Sequence, residues 1–149
     1  EHDRQQALHC LERMGVGQFA DRPIATLSSG EQQRVFLARS LMNEPGIVLL
    51  DEPSARLDLG GREQLVAALG ELVDDPSAPP LVLVTHHVDE VPIGMTHALL
   101  LRDGQVVAAG PMSEALTAET LSDCFGLPLV LERRGDGRLS AWARTHPPR

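Results

Sequence analysis

The chain has 149 residues, 42% of them hydrophobic, and a net charge of −8. That length suffices for one domain with a core of its own. The acidic balance gives no basic footprint for nucleic acid, and one Trp with three Phe makes no base-stacking platform, so no nucleic-acid partner is expected.

Cys10 and Cys124 make no disulfide framework and fit a reduced, cytoplasmic protein. The apolar runs are too short to span a membrane, and the start shows no signal-peptide pattern. All 13 basic residues are arginine. Without a lysine, a phosphate-binding loop of the form G-x-x-x-x-G-K-[ST] is excluded within this chain. The first residue is Glu1 rather than Met, which reads as a trimmed product.

Residues 3–14 are predicted to be a helix, with Ala7, Leu8 and Leu11 at helical spacing. Gly15 and Gly17 end it, and a loop containing Pro23 follows. Ser28 has the character of an N-cap, and Glu31 three residues on completes a capping box. The helix so started runs over 30–42, and Pro45-Gly46 breaks it. Residues 47–50 form a continuous apolar run that suits a buried parallel strand. A helix over 59–73, a surface loop over 74–80 and a second buried strand over 81–84 complete a βαβ unit. Farther on, 98–101 and 105–109 flank Asp103-Gly104, a hairpin signal. Short helices are expected at 112–117 and 119–125, a second hairpin about Asp136-Gly137 over 127–143, and a frayed tail over 145–149.

Three places carry chemistry. The run ending in Asp51-Glu52 sets two carboxylates at the carboxyl edge of a sheet, where α/β proteins bind ligands. One can serve Mg²⁺, which takes oxygen ligands; the other can orient or deprotonate a water. An acidic pair that merely opens a loop is the plain alternative. His86 ends the neighbouring apolar strand and could meet a phosphate or the attacking water; an ordinary loop histidine is the plain alternative. His87 follows it, and alternation along a strand would point the two rings to opposite faces, against a shared metal. Finally, Ser28, Ser29 and Gly30 stand at a helix N-terminus, where free N–H groups and the helix dipole suit an anion. A plain capped helix is the alternative there.

In order, the chain reads LSSGEQQR, IVLLDEP, SARLD and VTHH. Over about residues 1–110 this resembles the ABC ATPase family. The first string is similar to that family's signature motif and the second to its Walker B strand. Residues 55–58 resemble its D-loop, and His86 its switch histidine. The resemblance implies an α/β fold: part of the P-loop NTPase (RecA-like) core, with part of the helical subdomain and C-terminal β-hairpins. It divides the chain into a signature subdomain over 1–45, core over 46–126, and a hairpin with tail over 127–149. It implies ATP and Mg²⁺ as cofactors, Asp51 as the Mg²⁺ residue, Glu52 as general base, and His86 stabilising the γ-phosphate and the attacking water. Ser28, Ser29, Gly30 and Glu31 would lie at ATP held by the opposite subunit of a head-to-tail dimer, and Asp58 would couple the two sites.

Two departures stand out. Ser29-Gly30-Glu31 replaces the usual Gly-Gly-Gln, and the capping box gives the Glu31 carboxylate a place at the helix start. Arg56 replaces a small D-loop residue. The family's Walker A loop, adenine-stacking aromatic and Q-loop glutamine precede the signature and would lie before Glu1. The resemblance implies an energising subunit of a membrane transporter, cytoplasmic or peripheral at the inner face of the membrane, with a membrane-spanning partner. A soluble ABC ATPase without a transport role and a non-catalytic assembly module are the alternatives. By itself the chain is expected to hydrolyse ATP negligibly. The strand over 81–84, lacking its family neighbour, is expected to be an open edge that promotes self-association.

Overall fold

The computed structural model describes residues 2–144; the tail expected to fray, 145–149, lies outside them. The chain forms two compact units, Glu1–Pro92 and Ile93–Arg149.

In the first unit, helix α1 (His2–Arg13) ends in a left-handed turn at Gly15, φ +64°. There the N–H of Val16 reaches back to the Leu11 carbonyl, and that of Gly15 to Glu12, both at 2.9 Å. This pairing satisfies two carbonyls at the helix end and needs a residue that tolerates positive φ. Helix α2 (Ser29–Leu41) starts at the Ser28 cap. Strand β1 (Val48–Asp51) leads to helix α3 (Leu59–Asp74), capped by Asp58. Strand β2 (Leu81–Val84) pairs parallel with β1, Val48 opposite Leu81 and Asp51 opposite Val84.

The core of this unit gathers Met14, Val16, Leu37, Leu41, Leu65, Leu69 and Leu72 from the helical segments with Val48 from β1. Burial on the two strands therefore alternates. Val48 is buried and Leu50 and Leu81 pack partly against the core, while Leu49 is 69% exposed and Val82 and Val84 are exposed beside it. The expectation of strands buried on both faces is thus corrected. The continuous apolar runs belong to a sheet with two apolar faces, and among the described residues only one of those faces is covered. Among the described residues β2 pairs with β1 alone, leaving its other edge open. Concentration-dependent association of the isolated chain is the expected outcome. It is measured by light scattering, and a monomer at high concentration would count against it.

In the second unit, strands β3 (His97–Arg102) and β4 (Gln105–Pro111) form an antiparallel hairpin. Its turn is Asp103-Gly104 with φ +52° and +76°, the left-handed pair a tight hairpin requires. Helices α4 (Met112–Ala115) and α5 (Ala118–Phe125) follow. α5 has its own capping box between Thr117 and Thr120 and ends in left-handed Gly126. Strands β5 (Leu129–Arg133) and β6 (Leu139–Ala143) form the second hairpin. In all, the strands make three two-stranded sheets among the described residues.

Candidate functional site

The parallel register builds the site. Asp51 lies opposite Val84, and the N–H of Glu52 extends the ladder by donating to the Val84 carbonyl at 2.8 Å. Both strands stop there, so the residues just beyond them emerge at one edge of the sheet. Glu52 has φ +44°, an uncommon conformation for a non-glycine residue. The Nδ1–H of His86 donates to Oε1 of Glu52 across 3.0 Å, with both side chains about half exposed. Asp51 alternates with Leu50 and so shares the open face of β1 with Leu49. The adjacent carboxylates are thus separated, one on the open sheet face and one held by the histidine.

The expectation that His86 and His87 diverge does not hold. Their rings lie 4.0 Å apart, because both follow the last residue of β2, where strand alternation no longer applies. No group of three His, Cys, Asp or Glu suited to a metal ion is found among the described residues.

At the start of α2, the Ser28 N–H donates to Oε2 of Glu31 at 2.7 Å, and the Glu31 N–H donates to the Ser28 hydroxyl at 3.3 Å. The bond from the Ser28 backbone, and after it the one involving its side chain, holds the Glu31 carboxyl below its ordinary pKa. The unusual glutamate is therefore tied back onto the cap. The amides of Ser29 and Gly30 have no acceptor inside the helix. Asp58 caps α3 by accepting from the Gly61 N–H at 2.7 Å. Gly61 in turn meets Gly30: a methyl group added to Gly30 would stand 2.9 Å from the Gly61 Cα. The first turns of α2 and α3 thus touch backbone to backbone, joining the Ser28–Glu31 group to Asp58. Among the described residues no hydrogen bond or ion pair joins this group to the Glu52–His86 pair. Arg56 is exposed.

Several contributors escaped the sequence reading. Arg34, buried in the interior stripe of α2, donates to the carbonyls of Gly30, Met14 and Gly15 and, at 2.9 Å, to Oε1 of Gln64. The signal was present: position 34 shares a helical face with Leu37, Ala38 and Leu41. Thr85 and the buried Glu90 also went unnoticed. The Thr85 hydroxyl donates to Oε2 of Glu90 at 2.6 Å and accepts from the His87 N–H at 3.0 Å. No spacing rule announces such a bridge.

The sequence pattern that defines the ABC transporter family matches residues 2–55. An ABC transporter ATP-binding protein of Bacillus subtilis, YlmA, is 40% identical over 126 residues, covering 85% of this chain and 48% of the relative. A probable metal transport system ATP-binding protein of Chlamydia trachomatis is 37% identical, covering 87% and 49%. The ferric enterobactin transport ATP-binding protein FepC of Escherichia coli is 32% identical, covering 88% and 48%. This chain spans about half the length of these curated relatives. Among solved structures, an inward-facing ABC transporter superposes with TM-score 0.82 at 26% identity, over 97% of this chain and 58% of that one. A dimeric bacterial ABC transporter cassette superposes with TM-score 0.58 at 32% identity, over 72% and 46%. The expected fold class, a partial ABC ATPase of the P-loop NTPase type, stands. By sequence and by fold, the chain belongs to the family of ABC transporter ATP-binding proteins and represents part of its ATPase domain.

Proposed function

We propose that this chain supplies the signature, Walker B, D-loop and switch-histidine part of the ATP-hydrolysing subunit of an ABC transporter. The observation that carries the reading is the Glu52–His86 pair, 3.0 Å apart at the carboxyl edge of two parallel strands. Glu52 is the general base: its carboxylate takes the proton of the attacking water. His86 orients that carboxylate through Nδ1 and keeps the rest of its ring for the γ-phosphate. Ser28, Ser29 and Gly30 present helix-start donors to ATP held by the opposite subunit. Asp58, in backbone contact with that group through Gly61, relays its position.

Asp51 is the Mg²⁺ residue. Its exposed carboxylate at the end of β1 fits an ion that takes oxygen ligands and binds through one or two carboxylates, waters and substrate phosphates. When bound, Mg²⁺ neutralises charge on those phosphates. The chain contains no lysine, so the phosphate grip comes from sequence outside these 149 residues.

The partners are a second nucleotide-binding subunit, head to tail, and a membrane-spanning subunit. No helix among the described residues is long and apolar enough to cross a membrane. Relatives named for metal and ferric enterobactin transport favour transport over a soluble or purely assembling role. They also point to a metal or metal chelate as cargo.

The test compares ATP turnover by the purified 149-residue chain and by the intact subunit that contains it. Negligible turnover by the chain and Mg²⁺-dependent turnover by the subunit are expected. Hydrolysis by the chain alone, abolished by Glu52→Gln, would overturn the division of labour.

A further inference from the structure

His86 sits in a short closed turn. β2 ends at Val84, and the next residues fold back through a 3-10 turn, Val88–Glu90. There the Glu90 N–H donates to the His87 carbonyl at 3.1 Å. Across the base of the turn, the Thr85 hydroxyl spends its one hydrogen on Oε2 of Glu90 at 2.6 Å. The Thr85 hydroxyl oxygen in turn accepts the His87 N–H at 3.0 Å. One hydroxyl thus fixes the residues on both sides of His86.

Exposure is divided unevenly over this turn. Glu90 is only 5% exposed, whereas the His86 side chain is 56% exposed. Burying a carboxylate is costly unless hydrogen bonds compensate it, and a short bond to an anionic acceptor is among the strong ones. Leucine or glutamine would fill the same space with less desolvation. A second tie fixes the turn from α3, where Arg62 pairs with Asp89 at 3.5 Å. The turn is anchored inside and presents its imidazole outside.

We propose that Thr85 and Glu90 are positioning residues for His86: their bridge sets the imidazole against Glu52. This rests on the reading of Glu52 and His86 given above. Thr85 touches neither nucleotide nor water in this scheme; it acts through the histidine. The sensitivity expected is that of catalytic geometry, where a displacement near 1 Å costs on the order of a hundredfold in rate.

The experiment uses the intact subunit and reads kcat, the KM for ATP, the melting temperature and the imidazole NMR resonances of His86. Thr85→Val keeps the shape and removes the hydroxyl, whereas Thr85→Ser keeps the hydroxyl. Thr85→Val is expected to lower kcat by about ten- to a hundredfold with KM nearly unchanged and the His86 resonances displaced. Thr85→Ser is expected to restore most of the turnover. Wild-type kcat in Thr85→Val would overturn the proposal, as would equal losses in both variants, or a loss with His86 unmoved.

If Thr85→Val does not fold, Glu90→Leu decides. Leucine fills the space and removes the acceptor of the Thr85 hydroxyl, so a loss of kcat with displaced His86 resonances is expected, and unchanged kcat and resonances contradict the proposal. Glu52→Gln, measured alongside, separates the two levels. If it remains active, the reading of the site fails. If it is dead while Thr85→Val is normal, the positioning role alone fails.

Discussion

Replacing Arg34 with methionine lowers the unfolding free energy of the chain by about 3 kcal/mol, the range expected when a buried polar network is broken. Arg34 is 9% exposed, and its bonds run to three backbone carbonyls and the Gln64 amide. Two of those carbonyls, Met14 and Gly15, stand at the end of α1, where the helix dipole favours a cation. Methionine fills most of the volume, so the cost measured is chiefly that of acceptors left without a donor, about 1–3 kcal/mol for each one that stays buried. Arg34→Lys keeps the charge but loses the fork that reaches α1, α2 and α3 together, and is expected to lie between. Urea unfolding followed by circular dichroism measures both. An Arg34→Met midpoint equal to the wild type would show that the network contributes no net stability.

Glu52→Gln gives the second large effect, this time on chemistry. In the intact subunit it is expected to lower kcat by about a hundred- to ten-thousandfold, the usual contribution of a general base. Stability should scarcely change, because the side chain is about half exposed. The backbone provides a sharper form of the test. At φ +44° a glutamate is held in a conformation that costs on the order of 1–3 kcal/mol, which glycine adopts freely. Glu52→Gly is therefore expected to be neutral or stabilising, within about 1 kcal/mol, while being as inactive as Glu52→Gln. A protein that gains stability and loses turnover at one position keeps its strain there for function. Active Glu52→Gln would remove the residue from the mechanism.

Much of this was legible in the sequence because local rules and fold rules agreed. The Ser28-to-Glu31 spacing specified a capping box that is present atom for atom, and Asp103-Gly104 specified the hairpin turn. The apolar runs before Asp51 and Thr85 specified two parallel strands, and the register of that pair carries Glu52 to His86. What the sequence obscured depended on tertiary neighbours. The runs gave no sign that Leu49, Val82 and Val84 would face outward, since burial depends on what packs above a strand. Strand alternation misplaced His87 because β2 ends at Val84. Gly61 looked like an ordinary residue of a helix start, yet it makes room for Gly30. Helix periodicity could identify Arg34 as facing inward, but not the carbonyls that it meets.

The central claim is that Ser28–Gly30 and Glu52–His86 of one chain serve two different nucleotide sites in a head-to-tail pair. Mixing two inactive intact subunits tests it most directly. One carries Glu52→Gln. The other carries Ser29→Arg, which obstructs the exposed start of α2 and leaves the Ser28 cap intact. In a mixed dimer one site collects both lesions and the other is whole, so random exchange is expected to restore about a quarter of wild-type turnover. A fully exchanged mixture no more active than either variant alone would contradict the account.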